Sequence, residues 1–428
     1  MVQTPQADAA RIGADLEHLC VRIGPRPGGL EAEARARKWL AGEFRRIGLA
    51  SIRTETFEFD NSAYSSCAGE WFAAGRGGKL DVRPCSYSLS TPEGGLEGKL
   101  VFLGAAARMH QPDGHLAGKI GLLLGVPMPD PAFLDSLCSC GLAGAILVDH
   151  RTWSSWPVTL NFPESWASRV RLPLLSLPYA QAWPLARKRP VRVRLAADCT
   201  RFRSTSGNVI AELPGRSRET IILCAHLDSV VGSEGANDDA SGIALILEVA
   251  RLLSGSQLRR TVRFIGMGME ERLSVGAHHY ASSNRLDDIV LCVNFDSCGS
   301  LLGTDELHVA GRRELLWLVR NAASRCGFVA DVTTTITPYS DHFPFNMAGI
   351  PSVWHYRPTN TAGDWFFHSA NDRLANLSPL AIARAASFAA ALVQDLAACK
   401  SLPFRVALPQ SAMHRVRQYA RWMYGASV

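Results

Sequence analysis

The sequence predicts an α/β protein: a mostly parallel sheet covered by helices on both faces, interrupted by a mostly β module. Two observations carry this expectation. From residue 206 to 400, short apolar runs with strand character alternate with helical patterns, which is how crossover-connected parallel strands read. Between 59 and 201 the alternation stops, and Gly, Pro, Ser and Trp crowd around short apolar runs. These shifts divide the chain into 1–58, the first part of the α/β domain; 59–201, the inserted module; 202–402, the rest of the α/β domain; and 403–428, a C-terminal tail.

Each element has its own reason. LEAEARARKWLAGEFRRIGL reads as a helix because Leu40, Phe44 and Ile47 fall on one face and Gly48 supplies a stop. The strand SIRTETFEF alternates after it. In the module, KLVFLG, KIGLLLG, GAILVD and LPLLSL are apolar runs bounded by turn residues. After it, NVIAELP and TIILCAH lead to the helix SGIALILEVARLLSG, and TVRFIGMGM to a helix near 276–284. IVLCVNFD and ELHVA lead to RRELLWLVRNAASRCG, VADVTTTI to a short helix after Ser340, and IPSVWHY to SPLAIARAASFAAALVQDLAA. MHRVRQYARWMYG would make a small amphipathic helix.

Composition excludes several classes. The chain has 428 residues, 47% hydrophobic and 20% charged, so it is neither disordered nor fibrous. The apolar stretches Gly242–Leu247 and Leu142–Val148 fall short of the roughly 18–20 residues that span a bilayer, so no membrane partner is expected. The opening MVQTPQADAARIGADLEHL has no basic patch ahead of an apolar run, and a cytoplasmic location is the expectation. A net charge of +6 with Arg interspersed among Asp and Glu offers no clustered basic face for nucleic acid. Eleven cysteines without CxxC pairs read as reduced thiols, and Cys138-Ser139-Cys140, lacking a second Cys/His pair, as small buried residues. Composition and spacing say nothing of oligomeric state.

In an open α/β sheet the site lies at the carboxyl ends of the strands. TIILCAH ends in His226, followed by Leu227-Asp228; TVRFIGMGM is followed by Glu270-Glu271, and IVLCVNF by Asp296. GANDDASG puts Asp238 and Asp239 in the turn before a helix, and Phe367-His368-Ser369-Ala370-Asn371-Asp372 follows the last strand. Singly, Asp239 reads as a helix cap, the Glu pair as a solvated face and His368 as a loop histidine. Together, two histidines and four or five carboxylates in one cleft would cost several kcal/mol unless cations neutralised them. Imidazole with carboxylate and no thiolate suits Zn²⁺, Mn²⁺ or Co²⁺, and the surplus of carboxylates is enough for two ions sharing a bridging ligand.

The ordered motifs HLD, GANDDASG, EE, NFD, SDHFPF and FHSAND, with the opening LEHLCVRIGPRPGG, resemble the co-catalytic two-zinc aminopeptidase family that includes bacterial leucyl aminopeptidases, aminopeptidase Y and glutamate carboxypeptidase II. The resemblance implies a three-layer α/β/α phosphorylase/hydrolase-like catalytic domain and a zinc exopeptidase, an aminopeptidase acting on peptide substrates with two Zn²⁺ per chain. It implies that His226 and Asp296 bind one zinc, Glu271 and His368 the other, that Asp238 bridges them, and that Glu270 is the general base. It further implies a cis peptide between Asp238 and Asp239, with Asp228 orienting a ligand imidazole and Asp372 doing likewise near His368. Family members commonly continue the Glu pair as EEXGLXGS, whereas this chain has Arg272-Leu273-Ser274-Val275-Gly276-Ala277-His278. Where some relatives place a tyrosine hydroxyl near the substrate carbonyl, Tyr339 is the nearest candidate here. Residues 59–201 resemble a protease-associated domain through LEGKLVFLG, HLAGKIGLLLG, CGLAGAILVD and RLPLLSLP, bordering the cleft and limiting substrate size, with no residue of nameable chemistry.

Other patterns carry less. Ser340-Asp341-His342 spells triad letters, but consecutive side chains diverge and cannot align. Gly75-Arg76-Gly77-Gly78-Lys79 lacks P-loop spacing and reads as a turn, and His278-His279 reads as helix surface or core. A glutaminyl-cyclase-like zinc acyltransferase on the same fold is the alternative chemistry. Cyclases typically replace the second aspartate of the turn, and this chain keeps it.

Overall fold

The computed structural model describes residues 5–105, 114–125, 131–149, 154–187, 190–358 and 366–424; the first four residues of the opening and the last four of the tail lie outside them. Helices α1 (Ala9–Glu17) and α2 (Glu31–Ile47) open the chain. α2 buries Leu40 and Phe44 and half-buries Ile47, and Gly48 ends it at φ +86°, a left-handed backbone that glycine adopts without strain. Strand β1 (Ala50–Ala73) then runs antiparallel to β8 (Arg192–Leu213) along nearly its whole length, with Phe59 opposite Ser204 and Ser62 opposite Arg201. The composition shifts at 59 and 201 therefore fall three register steps apart on one continuous ribbon.

The far end of the ribbon carries a second sheet. β2 (Arg76–Leu80) pairs with β1, and β3 (Arg83–Pro84), β4 (Leu96–Ala105), β5 (Ile120–Leu124), β6 (Gly144–Val148) and β7 (Leu174–Ser176) follow in the order β8-β4-β5-β6-β7-β3, with β4 to β7 mutually parallel. Residues alternate between its faces: Leu123, Ala145 and Leu147 pack with Phe133, Leu134 and Leu137 of α3 (Pro131–Ser139), whereas Ile120, Leu122, Ile146 and Val148 pack with Ala182 and Leu185 of α4 (Tyr179–Arg187). The mostly β expectation misses these two helices. Each has nine residues and α4 contains Pro184, too little length for a helical period to stand out.

The near end of the ribbon enters the larger sheet. Here β9 (Thr220–His226), α5 (Ser241–Leu253), β10 (Thr261–Met267), α6 (Val275–Ser283), β11 (Ile289–Phe295), β12 (Asp305–Ala310), α7 (Arg313–Arg325), β13 (Ala330–Thr333), α8 (Phe343–Met347), β14 (Ser352–Tyr356) and α9 (Pro379–Ala398) give the order β13-β12-β14-β11-β9-β10-β8. β10, β9, β11 and β14 are parallel, while β8 and β12 join antiparallel. Along β9, Ile221, Leu223 and Ala225 face a core shared with α1, α2, α5, α7 and α9, and Ile222 and Cys224 face one shared with α6 and α8. Three layers result.

α9 is by length and composition apolar enough to cross a bilayer, a longer stretch than those weighed above. Its apolarity is spent inside the molecule, packed against α1, α5 and α7. Glu248 lies wholly buried in α5 and is neutralised by Arg11 at 2.6 Å and Arg251 at 3.5 Å, without which its burial would cost several kcal/mol. The tail forms α10 (Gln410–Tyr424), docked on α8 through Val416, Tyr419 and Tyr424. None of the eleven cysteines forms a disulfide.

Candidate metal centre

Parallel register delivers the site. Met267 pairs with His226 and Asn294 with Cys224, so β9, β10 and β11 end side by side. His226 closes β9, Glu270-Glu271 lie in a tight helical turn just past β10, and Asp296 follows β11. Asp238 comes from the turn before α5 and His368 from the loop after β14. The donor atoms of His226, Asp238 and Asp296 lie within 4.8 Å of one another, as do those of Asp238, Glu271 and His368. Asp238 belongs to both groups: Oδ1 is 3.0 Å from His226 Nε2 and Oδ2 is 3.4 Å from His368 Nε2. Glu271 Oε2 is 3.0 Å from His368 Nε2, and Asp296 Oδ1 is 3.9 Å from His226 Nε2. Glu270 belongs to neither group; its Oε1 accepts from Ser274 Oγ at 3.3 Å, and its Oε2 stands 4.0 Å from His226 Nε2.

Both imidazoles are held alike. His226 Nδ1 lies 3.0 Å from the carbonyl oxygen of Asp228, and His368 Nδ1 lies 3.3 Å from that of Thr159. A carbonyl only accepts, so each Nδ1 carries a proton and each Nε2 is the nitrogen left facing Asp238. Three buried carboxylates brace the backbone beneath. Asp228 accepts from the N–H groups of Glu270 at 2.9 Å and Glu271 at 3.2 Å. Asp239 accepts from those of His226, Gly242 and Ser297, and Asp372 from those of Asn237 at 2.7 Å and Asp238 at 3.1 Å. The Asp228 carboxylate also stands 3.6 Å from His226 Nδ1, so it lies against that ring as expected while holding the Glu pair; Asp372 braces the Asp238 turn rather than His368, which corrects one expectation. The reason is geometric: a carboxylate in a turn can satisfy two neighbouring N–H donors at once. The Asp238–Asp239 peptide is cis.

The electrostatics fit a cation. Burial pushes the Glu270, Glu271 and Asp239 carboxyls above their usual range, and neighbouring carboxylates add to the push. Burial also works against Asp238, yet the two imidazoles draw its carboxyl well below the ordinary range. Glu271 Oε1 is buried with no hydrogen-bond partner, so one ligand oxygen is left for something other than protein. Two imidazole nitrogens, three carboxylates and no thiolate form a donor set that suits zinc.

Sequence reasoning passed over several residues here. Wholly buried Arg26, in the GPRPGG segment, donates to the carbonyls of Leu227 at 2.9 Å, Glu234 at 2.6 Å and Gly235 at 2.8 Å, tying the loops after β9 together. Thr159 and Asn161, from the region expected to carry no chemistry, reach His368 and Glu271. Among the described residues, the Tyr424 hydroxyl is buried without a hydrogen-bond partner, and burial and then the charges of Glu270 and Asp341 hold it protonated; Tyr339 is half-buried on the loop before α8. Ser340, Asp341 and His342 form no triad: Ser340 Oγ accepts from Asn294 and His342 stacks on Trp354. The altered loop after the Glu pair is tolerated with Leu273 and Ser274 both at positive φ.

Residues 208–393 match the model of peptidase family M28. Aminopeptidase YwaD of Bacillus subtilis (strain 168) is 27% identical over 398 residues, covering 89% of this chain and 83% of that protein. The probable lipoprotein aminopeptidase LpqL of Mycobacterium tuberculosis is 28% identical over 302 residues, covering 64% of this chain and 59% of that protein. Among solved structures, a zinc aminopeptidase from Bacillus subtilis shares the fold with a TM-score of 0.75 at 24% identity, covering 95% of this chain and 99% of that one.

Proposed function

We propose, for a chain whose residues 208–393 match the model of peptidase family M28, a two-zinc aminopeptidase that removes N-terminal residues from peptides with Glu270 as general base. The observation that carries this reading is the convergence of two histidine Nε2 atoms on opposite oxygens of one carboxylate, Asp238. His226 and Asp296 would hold one zinc and Glu271 and His368 the other, with Asp238 shared. Bound there, zinc would polarise a scissile carbonyl and make water acidic enough to lose a proton near neutral pH.

The chain's own part is proton handling and orientation. Ser274 pins Glu270 Oε1, which leaves Oε2 facing the centre. There it takes a proton from water and returns it to the departing amine, work worth about 10² to 10⁴ in rate. Asp228 keeps Glu270 and Glu271 apart by holding both of their N–H groups, so one side chain serves as base and the other as ligand. The second module borders the centre through Thr159 and Asn161, which supports a role in limiting substrate size. Metal analysis at saturating zinc, with a screen of aminoacyl-p-nitroanilides and dipeptides, tests the reading: two ions and release of N-terminal residues are expected. At most one ion, or no turnover of any substrate bearing a free amino end, would overturn it.

A further inference from the structure

The two halves of the centre are held by different parts of the chain. The His226 half rests on the larger sheet, where its ring meets the Asp228 carbonyl and its N–H meets Asp239. The other half rests on residues 158–162 of the second module. The Thr159 carbonyl takes the His368 Nδ1 proton at 3.3 Å, and the Thr159 N–H donates to the His368 carbonyl at 2.9 Å. Asn161 Nδ2 donates to Glu271 Oε2 at 3.4 Å, while Asn161 Oδ1 accepts from Arg272. Among the described hydrogen bonds, this segment touches both ligands of one half and neither of the other.

The segment is built to hold a position. Val158, Leu160 and Phe162 are buried in the module's own core, so Thr159 and Asn161, alternating with them along an extended chain, face the larger domain. The Val158 carbonyl accepts from Ser176 Oγ at 2.6 Å and the Leu160 carbonyl from the Ser86 N–H at 3.0 Å; the Phe162 N–H donates to Ser86 Oγ. Across from it, Arg272 lies 5.3 Å over the Tyr87 ring and reaches Ser62 Oγ at 3.4 Å, so the base of the Glu pair is clamped to the same module. His368 has no helix or strand of its own and sits at φ +53°, so its orientation depends on what grips it.

We propose that residues 158–162 position one of the two metal ions, the one held by Glu271 and His368, so that the second module sets that ion's affinity and leaves the ion at His226 and Asp296 alone. This rests on the two-ion reading above. Partners of this kind typically change metal affinity by about 10- to 100-fold. Asn161→Leu removes the donor to Glu271 and the acceptor for Arg272 and adds no charge. Calorimetric zinc titration of the full chain should show one ion weakened by about 10-fold or more and the other unchanged. In a Glu271→Gln background, Asn161→Leu should cause no further loss, whereas a merely destabilising substitution would add to it. Asn161→Ala should have the same effect as Asn161→Leu. A wild-type chain that binds fewer than two ions overturns the two-ion reading. A wild type with two ions and an Asn161→Leu variant with both affinities intact, or with both weakened equally, overturns this inference alone.

Discussion

The molecule contains two sheets built on one plan, and among the described residues only one of them ends in chemistry. In each, parallel strands alternate their apolar residues between two faces and helices cover both. The larger sheet's strands run out into His226, Glu270-Glu271 and Asp296; in the smaller sheet, β5 is followed by Gly125, β6 by Asp149 and β7 by Leu177. Layer packing therefore does not make a site. A site needs ionisable groups at adjacent strand ends, and enough of them that no single pairing can neutralise the set. The smaller sheet contributes differently, by offering backbone and amide groups from a fixed edge.

Perturbing the two regions should show that difference, most strongly at the carboxylate both halves share. Asp238→Asn should loosen both ions and take turnover down at least as far as loss of the base; full metal content in that variant would break the comparison. Glu270→Gln should keep both ions and slow the chemical step by about 10² to 10⁴, while Glu271→Gln should lose or loosen one ion. Equal zinc loss in the two, or an active Glu270→Gln protein, would show that the pair is not divided into base and ligand. Asp228→Asn should cost about 10- to 100-fold in metal affinity or turnover by loosening the Glu pair, whereas Asp149→Asn, at a strand end of the smaller sheet, should leave metal content unchanged.

Two smaller effects fall on stability. Burial depresses the His278 imidazole to about 4, so in the folded chain it stays neutral while the unfolded chain takes up its proton near the ordinary value of about 6.5. The unfolded state then binds more protons between those values, and stability falls as pH drops through that window, by about 3 kcal/mol once pH 4 is reached. Its Nε2 has no hydrogen-bond partner, so His278→Phe should flatten this acid limb in denaturant titrations at pH 4 to 7. An unchanged slope would remove His278 as its cause. Leu273→Gly should relieve a left-handed backbone at φ +64° and raise stability by about 1 kcal/mol. A drop in melting temperature would mean that Leu273's packing outweighs that strain.

The legible part of the site was what strand ends display. His226, Asp296 and the Glu pair could be read because each follows an apolar run whose register sets its place. Thr159 acts through its carbonyl and N–H, which every residue but proline possesses, so its side chain gives no signal. Asn161 sits in a segment whose neighbours are apolar for packing reasons. The bracing roles of Asp228 and Asp372 depend on which N–H groups a turn brings within about 3 Å of each oxygen, and that distance is tertiary. In the fold, α5 and α9 were readable from their length, while α3 and α4, at nine residues each, were not.

The ribbon formed by β1 and β8 bears on thermodynamics of a different kind. Two domains joined by flexible linkers behave as tethered partners, and a contact between them is discounted by the entropy of bringing the ends together. Here the connection is a pair of hydrogen-bonded strands with register continuous from Thr54 opposite Val209 to Phe72 opposite Arg192, broken only by a bulge near Ser66. Residues 158–162 are presented to His368 and Glu271 at an effective concentration that a linker could not match, with the search already completed when the ribbon forms. Contacts as long as 3.3 and 3.4 Å, weak between free partners, can then hold a ligand in place because almost no ordering entropy is charged against them.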